Sequence, residues 1–350
     1  MSGAVGSSGG AVDAGDNMTW VHLADAPAID GLRFRRPRGD DTDYEAMAAV
    51  VAAANTHDGV PFLPSAAILR EEFEASIQYD LLQDVVLAEI HGQAIGSAGA
   101  ERGIRDGVAV HGIWGHVDPA WRRRGIGRAL LGENLRRAAE RGAAEPAGRR
   151  VEARAHVEES QAGHRRLLEI TGFEPIRWYF DMRRPNLEDV PDAPLPDGLA
   201  FRPVSADQHR VIWDADNEAF LDHWQPRVRT DEEFASLFAA ADLDTGLWVV
   251  AWDGDQIAGV VQAWIWKDEN AQLGVQRGWL EHISVRRPWR RRGLGQAITA
   301  EALRRLRAAG MHEAMLGVDA DSPTGASRLY ERLGFQIHSR SAAYRLPLDR

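Results

Sequence analysis

Two short segments rich in arginine and glycine are the part of this sequence best suited to bind a charged ligand. The first loop is Arg122, Arg123, Arg124, Gly125, Ile126, Gly127 and Arg128, and the second loop is Arg290, Arg291, Arg292, Gly293, Leu294, Gly295 and Gln296. Each follows a strand-like apolar run and leads into an amphipathic helix. Glycine lets backbone N–H groups approach a ligand, a helix N-terminus carries partial positive charge, and guanidiniums add full charges. Both loops are therefore predicted to bind anions.

The two loops belong to a tandem repeat. Gly125 and Gly293 are 168 positions apart, and Gly31 and Gly198, which open similar extended runs, are 167 apart. In both copies a predicted hairpin and a strand precede the loop, and a helix, a strand and a short helix follow it. The short helix ends at Gly-Phe in each copy, where a last hairpin is expected. The first loop helix is expected to end with Gly142 as its C-cap.

These signals predict an α+β protein with two domains. Two domains are also the expectation for a chain of 350 residues. The predicted divisions are a disordered lead over 1–28, a first domain over 29–183, a linker over 184–198 and a second domain over 199–350. The linker alternates proline with acidic residues, which suits neither a helix nor a central strand.

Composition excludes several classes of function. The chain has no cysteine, so thiol nucleophiles, disulfides and thiolate metal sites are excluded. The net charge of −11 argues against general nucleic-acid binding, and no apolar run is long enough for a membrane helix. The N-terminus lacks the pattern of a signal peptide, and the absence of cysteine fits a cytoplasmic protein. From these observations together, no metal, nucleic-acid or membrane partner is expected.

The loops lack the features of two common phosphate sites. Neither contains the Gly-Lys-Ser/Thr of a P-loop, and neither has the third glycine of a dinucleotide fold. The remaining pattern, Arg/Gln-x-x-Gly-x-Gly/Ala, resembles the pyrophosphate loop of the GCN5-related N-acetyltransferases (GNAT). The run from Arg328 to Phe335 is similar to a second marker of that family.

This resemblance implies a fold and a co-substrate. It implies two tandem GNAT domains, each a mixed, mostly antiparallel sheet flanked by helices, that use acetyl-CoA. It assigns contacts with the carbonyl and pantetheine to the backbone of Ile283, Ser284 and Val285. Val117 of the first copy is expected to make a corresponding contact with the co-substrate. Ser322 stands where the family often has an asparagine that contacts CoA.

The resemblance also suggests how acetyl transfer is catalysed. The family uses a tyrosine at the position of Tyr330 to protonate the leaving thiolate, whereas the first copy has Leu168 there. The second copy is therefore expected to be catalytic and the first non-catalytic. Glu281 is the candidate general base. Asp319 is a second candidate, and His282 is expected to face away from Glu281 in a regular strand and to serve packing.

The acceptor is expected to be a primary amine of a small molecule, attacked directly in a ternary complex. Among tandem members the layout resembles the mycothiol synthases, through Met182-Arg183-Arg184-Pro185, the acidic linker and Asn217-Glu218-Ala219-Phe220. Trp279 departs from them, because mycothiol synthases often have glutamate there. An aminoglycoside-like or peptide amine, and a non-catalytic acyl-CoA sensor, are the alternatives; a sensor would need neither Tyr330 nor Glu281.

Overall fold

The structure is a computed structural model that describes residues 18–60, 62–75, 79–224, 228–240, 243–322 and 325–348. These residues form two compact units. The first unit lies within 1–57, 63–101 and 113–137, and the second within 58–62, 102–112 and 138–350. The units divide the chain differently from the two sequence copies, because the second unit includes the last third of the first copy.

The first unit is an antiparallel sheet with helices. In chain order it is built from β1 (Trp20–Val21), β2 (Leu32–Arg35), α1 (Asp41–Asp58), α2 (Ala66–Ala75), α3 (Leu81–Asp84), β3 (Val85–Ile90), β4 (Gln93–Arg105), β5 (Val108–Val117) and α4 (Ile126–Ala143). Strands β1, β2, β3 and β4 are neighbours in that order. Two parts of these elements belong to the second unit: residues 102–112, around the turn from β4 to β5, and residues 138–143 at the end of α4.

Part of the predicted disordered lead is ordered. Trp20 and Val21 pair with Arg35 and Phe34, and Leu23 is buried in the same core as Ile126. The expectation of disorder is therefore wrong for residues 18–28, because apolar side chains at these positions cover the start of α4. Residues 1–17 lie outside the described residues.

The second unit contains most of the regular structure. Its elements are β6 (Val151–Glu158), α5 (Ala162–Ile170), β7 (Glu174–Arg184), β8 (Leu199–Arg202), α6 (His209–Phe220), α7 (Asp231–Ala239), β9 (Val249–Asp253), β10 (Gln256–Trp264), α8 (Lys267–Leu273), β11 (Arg277–Val285), α9 (Leu294–Ala308), β12 (Glu313–Asp319), α10 (Ala326–Arg332) and β13 (Gln336–Pro347). Its strands follow the order β6-β13-β7-β12-β11-β10-β9-β8.

The last strands of the two copies have exchanged places in this order. Strand β13, which ends the second copy, lies between β6 and β7 of the first copy. Strand β7, which ends the first copy, pairs along its length with β12 of the second, from Arg184 opposite Ala314 to Tyr179 opposite Asp319. Side chains of the first copy therefore line the sheet of the second copy.

Two local predictions are wrong. The segment after Gly172-Phe173 is one long strand, β7, and not a hairpin, because both of its edges find partners in the second copy. Helix α4 continues past Gly142 to Ala143, so Gly142 is not its C-cap. A Cβ atom on Gly142 would lie 2.8 Å from Val151 Cγ1, so this glycine permits a close approach of helix and strand.

Helices cover both faces of the second-copy sheet. The predicted apolar stripe of α9 (Leu294, Ile298, Leu303 and Leu306) is buried against one face, together with Tyr330 of α10. On the other face, α6 buries Ile212 and Ala215 against β9 and β10. Among the described residues, no helix combines the length and the apolar character that crossing a bilayer requires.

The exchanged strand should contribute to stability mainly where its side chains lie against the second-copy core. Met182 is fully buried opposite Leu316, whereas Trp178 on the same strand is 47% exposed. We expect Met182→Ala to lower the free energy of unfolding by about 2–5 kcal/mol, the usual cost of a buried cavity. Trp178→Ala, the matched control, should change it by less than about 1 kcal/mol. Equal losses in urea unfolding would contradict the packing of β7 against the second-copy core.

Candidate active site

The two loops share one backbone conformation. Arg291 and Gly293 have φ values of 60° and 85°, and Arg123 and Gly125 have 63° and 92°. Turns that include left-handed residues can direct successive N–H groups toward the same side, which favours anion binding. Helices α9 and α4 begin directly after these glycines and add the positive end of their dipoles. The two loops therefore have the same left-handed positions, each directly before a helix N-terminus.

The first arginine of each loop holds the loop in place. Arg290 Nε donates to the Val285 carbonyl at 2.8 Å, and its Nη1 pairs with Asp222 at 2.5 Å. Arg122 Nε donates to the Val117 carbonyl at 3.0 Å in the first copy. Arg290 and Arg122 are therefore engaged with protein groups, and the guanidiniums available to a ligand come from the arginines that follow.

The arginines after Arg290 and Arg122 are exposed. They are Arg291, Arg292, Arg123, Arg124 and Arg128. Leu294 and Ile126 are buried in the helix packing, and Gly295, Gln296 and Gly127 are half-buried at the helix starts. These residues supply backbone N–H groups at the helix N-terminus and, from the arginines, exposed positive charge.

The surroundings of the two loops differ. Pro27 packs beside Gly125, where its Cβ lies 3.3 Å from the position a Cβ would take on that glycine. The Arg124 guanidinium lies over the Trp121 ring at 4.7 Å. Around Gly293, no described atom lies within 4 Å of the corresponding position. The second loop is therefore the more open one.

Strands β11 and β12 part after a short parallel ladder. Arg277, Gly278 and Trp279 pair with Glu313, Ala314 and Met315, and no pairing joins the two strands beyond that point in the described residues. Ile283, Ser284 and Val285 therefore pair only with β10. Their other backbone edge faces the gap, where an extended ligand can hydrogen-bond to them. Ser322 lies in the turn that follows β12.

Tyr330 lies on α10, which packs against α9 and β12. It is 7% exposed, and its ring makes an edge contact with Phe335 at 6.0 Å between centroids. Burial raises the pKa of the Tyr330 phenol, so the hydroxyl keeps its proton at neutral pH. Leu168 is its equivalent in the first copy: the Phe335 and Phe173 N–H groups donate to the carbonyls of Tyr330 and Leu168, both at 3.0 Å.

A β-bulge brings Glu281 and His282 to the same face of the sheet. Gln262 of β10 is opposite His282, but the next residue, Ala263, is opposite Leu280, so Glu281 is the extra residue. Leu280 and Ile283 both pack into the core against α9, and the two residues between them face the other way. The expectation that His282 faces away from Glu281 is wrong, because it assumed a regular strand.

Glu281 is in contact with solvent, but it also lies close to other protein groups, including two carboxylates. The residue is exposed, and one carboxylate oxygen accepts a hydrogen bond from Trp266 Nε1 at 3.1 Å. Loss of hydration raises the pKa of Glu281, and the nearby carboxylates of Glu269 and Asp181 raise it further. A carboxylate with a raised pKa is a stronger base, which suits proton abstraction.

A buried carboxylate, Asp216 of α6, organises the same face. The side chain of Asp216 is fully buried and accepts hydrogen bonds from Ser284 Oγ at 2.7 Å, Arg229 Nη2 at 2.6 Å and Gln262 Nε2 at 3.3 Å. His282 Nδ1 lies 2.8 Å from Asp216 Oδ2, the oxygen that Arg229 and Gln262 also contact. Burial alone would raise the pKa of Asp216, but the hydrogen bond and charge of His282 and the charge of Arg229 outweigh it and lower the pKa.

The other base candidate, Asp319, is already paired. Arg177 of the exchanged strand β7 donates from Nε to Asp319 Oδ2 at 2.9 Å. The same guanidinium lies 5.4 Å from the Trp224 ring. Asp319 therefore acts as an anchor for β7. In the part of the chain that the structure describes, no three His, Asp or Glu side chains are grouped in a way that could hold a metal ion.

Comparison with known proteins identifies the family. Residues 209–335 match the model described as the acetyltransferase (GNAT) family, and residues 82–175 match an acetyltransferase (GNAT) domain. A mycothiol acetyltransferase from Streptomyces avermitilis is 35% identical over 232 residues, which cover 65% of this chain and 69% of the relative. The chain belongs to the GNAT family. It is an acyl-CoA-dependent N-acetyltransferase with two tandem GNAT domains.

Two further similarities extend along most of the chain. A mycothiol acetyltransferase from Geodermatophilus obscurus is 28% identical over 312 residues, 88% of this chain and 96% of that protein. A crystal structure of a GCN5-related N-acetyltransferase from Sphaerobacter thermophilus is 28% identical with a TM-score of 0.71 and covers 92% of this chain and 97% of its own. GNAT acetyltransferases use acetyl-CoA, and the α+β fold expected from the sequence is confirmed.

Sequence reasoning missed the network around Asp216. Only one signal for it was present: Leu280 and Ile283 are apolar at a spacing of three, which a regular strand cannot bury on one side. That spacing indicates a bulge and would have placed His282 beside Glu281. The contribution of Arg229, which approaches from the segment before α7, has no signal in the sequence.

The hydroxyl of Ser284 should stabilise the ionised form of Asp216. Because the folded-state pKa of Asp216 is lowered, its network stabilises the protein above the ordinary aspartate pKa and loses that effect as the pH falls. We expect Ser284→Ala to lower the free energy of unfolding at pH 7 by about 1.5–3 kcal/mol, the usual contribution of a hydrogen bond to a charged group.

The difference should shrink as the pH falls below the ordinary aspartate pKa and through the lowered pKa of Asp216 in the folded protein. Ser339→Ala is the matched control: its hydroxyl donates to Asp181 at 2.8 Å, but that carboxylate is partly exposed and burial raises its pKa. The control should cost less. A loss for Ser284→Ala that stays constant from pH 7 down to the acid unfolding of the protein would contradict the role of the ionised carboxylate.

Proposed function

We propose that the chain transfers an acetyl group from acetyl-CoA to a primary amine of a small molecule, by direct attack in a ternary complex at the second copy. The observation that carries this is the combination, in one copy, of an open anion loop, a gap between β11 and β12 and a buried tyrosine. The first copy has Leu168 at the position of that tyrosine and Pro27 beside its loop.

In this proposal the second loop anchors the pyrophosphate of acetyl-CoA. Its backbone N–H groups and the dipole of α9 supply directed partial charges, and Arg291 and Arg292 supply full ones. The pantetheine lies in the gap, along the free backbone edge of Ile283, Ser284 and Val285, with Ser322 at the far side. A backbone N–H there polarises the thioester carbonyl and stabilises the oxyanion as the tetrahedral adduct forms.

Tyr330 and Glu281 carry the proton transfers of the proposal. Glu281 takes a proton from the acceptor ammonium, which then attacks the thioester carbon as a neutral amine. As the C–S bond breaks, the Tyr330 hydroxyl gives its proton to the departing thiolate. Burial favours this direction, because it keeps the phenol protonated before the thiolate forms.

The acceptor should be a small cationic amine. The carboxylates of Glu269 and Asp181 each lie close enough to Glu281 to raise its pKa, and a bound ammonium would relieve that repulsion. The resemblance to mycothiol synthases implies the cysteinyl amine of a glucosaminyl-inositol thiol precursor as one acceptor. The relatives named mycothiol acetyltransferase support a small-molecule amine of that kind. Trp279, where mycothiol synthases often have glutamate, favours an acceptor that differs from theirs near the reacting nitrogen.

Loss of the Tyr330 hydroxyl should slow turnover without weakening co-substrate binding. We expect Tyr330→Phe to lower kcat by roughly 10²–10⁴-fold, the range for removal of a general acid. The dissociation constant of acetyl-CoA should stay within about two-fold, since binding depends on the loop. Release of free thiol in the presence of an amine panel measures the rate.

The matched control for that variant is Tyr344→Phe, which removes the hydroxyl of another buried tyrosine, on β13. Its kcat should remain near that of the unchanged protein. An unchanged kcat in Tyr330→Phe would exclude Tyr330 as the acid.

The conformation of Gly293 should matter for CoA binding more than for folding. Gly293 has φ of 85° and Gly310, just after α9, has φ of 86°, with no described atom within 4 Å of a Cβ built on either. Alanine at either position should therefore cost a similar 1–2 kcal/mol or so of backbone strain. We expect only Gly293→Ala to weaken acetyl-CoA binding, by about ten-fold or more, in calorimetry. Equal affinities in the two variants would remove the second loop from the proposed site.

A further inference from the structure

The reaction proposed above requires the acceptor nitrogen to lose two protons. An ammonium R–NH₃⁺ becomes the amide R–NH–COCH₃, while CoA leaves as a thiolate and takes up one proton as CoA–SH. The net reaction releases one proton to water. Glu281 can accept the first proton and, being exposed, pass it to solvent. The second proton must leave the nitrogen after the C–N bond has formed, when the adduct is enclosed.

We propose that His282 is the group that accepts this second proton, and that Asp216 holds it in position. The inference rests on the proposed function, since it assigns a further catalytic residue to the same site. Its basis is the bulge at Glu281, which brings the two consecutive side chains to one face of β11, beside the gap between β11 and β12.

The hydrogen bond to Asp216 fixes which nitrogen of His282 is the base. Asp216 is ionised at neutral pH because its pKa is lowered, so its oxygens can only accept hydrogen bonds. The proton in the 2.8 Å contact therefore belongs to Nδ1 of His282. In the neutral imidazole, Nε2 is then the lone-pair nitrogen, and it bonds to no other described residue. The side chain of His282 is 30% exposed, so Nε2 can reach a ligand.

Asp216 is itself held rigidly enough to orient the ring. Ser284, Arg229 and Gln262 approach the carboxylate from β11, from the segment before α7 and from β10. The ring of Phe220 lies 4.8 Å from the His282 ring and limits its rotation. A buried carboxylate that fixes the tautomer of a histidine and stabilises its charged form is the arrangement that general-base histidines use.

The proposed step balances. Nε2 of His282 takes the proton from the nitrogen of the tetrahedral adduct, and the C–S bond breaks as Tyr330 protonates the sulfur. The enzyme is left with a protonated His282 and an ionised Tyr330. Exchange of one proton between these groups through water restores both, and the only proton released overall is the one that Glu281 passed to solvent.

The test separates the proton-accepting role of His282 from a structural one. In His282→Asn, the side-chain amide can still donate to Asp216 from the place of Nδ1, but no acceptor remains at the place of Nε2. We expect kcat to fall about 10²–10³-fold, with the dissociation constant of acetyl-CoA unchanged. In His282→Ala, added imidazole should restore part of the rate. His312→Asn, at an exposed histidine of the same unit, should behave like the unchanged protein.

The dependence of kcat on pH gives a second readout. The titratable and charged groups facing His282 are Asp216 of α6, His223 just after that helix, Glu281 of β11 and Arg229. A proton-accepting role requires the neutral imidazole, so the dependence of kcat on pH should differ between the unchanged protein and His282→Asn. In Glu281→Gln the pH profile of the unchanged protein should persist at a lower rate.

The assays use a panel of three amines: a cysteinyl glucosaminyl-inositol, an aminoglycoside and a lysine peptide. If the unchanged protein acetylates one of them and His282→Asn keeps its kcat and its pH profile, the role of His282 is refuted while the proposed function stands. The role is refuted equally if kcat falls but imidazole restores nothing in His282→Ala. If the unchanged protein acetylates none, the proposed function itself fails and His282 with it.

Discussion

The parting of β11 from β12 is the constraint on which the rest of the second copy depends. Three residues of each strand pair in parallel, and beyond Trp279 and Met315 the ladder stops. Buried backbone N–H and C=O groups cost free energy when they have no partner, so an edge opened inside a sheet favours a ligand that itself carries amide groups. The pantetheine arm of CoA is such a ligand. The bulge at Glu281 and the start of α9 lie on either side of this opening along the chain, so proton acceptor, thioester and pyrophosphate would fall in one line.

The exchange of last strands explains why the last third of the first copy, which has Leu168 in place of Tyr330, belongs to the same unit as the second copy. Strand β7 completes the second-copy sheet beside β12, and its Arg177 pairs with Asp319 at the end of that strand. Its Asp181 raises the pKa of Glu281 across the gap. The first copy therefore contributes charge and packing to the second even though Leu168 cannot donate a proton. The first copy thus has a structural role in the second copy.

Much of the fold could be predicted from the sequence because its signals are local. The loop helices, the hairpin turns and the tandem repeat follow from glycine positions, apolar periodicity and spacing. The exchange of β7 and β13 could not be predicted. The pattern of apolar and polar residues in both strands is compatible with either arrangement, and which one forms depends on pairing between distant segments. For the same reason β7 was expected to be part of a hairpin.

The site was predictable to a similar degree. The loops follow from their glycines, arginines and place before a helix, whereas Tyr330 and Glu281 were assigned from the resemblance to the family. Their proposed roles are consistent with their surroundings. Arg290 holds the second loop in place through its contact with Asp222, which is 68 residues away in the chain. The network of Asp216 depends on a bulge of one residue, which reverses the face of every residue after it. Such features arise from tertiary packing, and the sequence provides only an indirect trace of them.

The central claim is that acetyl-CoA binds in the second copy with its thioester in the gap between β11 and β12. A crystal structure of the chain with acetyl-CoA tests this most directly. The account predicts pyrophosphate density on the backbone amides of residues 291–296, pantetheine amides paired with the edge of Ile283 to Val285, and the sulfur within hydrogen-bonding reach of the Tyr330 hydroxyl. Density at the first loop alone, or a sulfur remote from Tyr330, would contradict it.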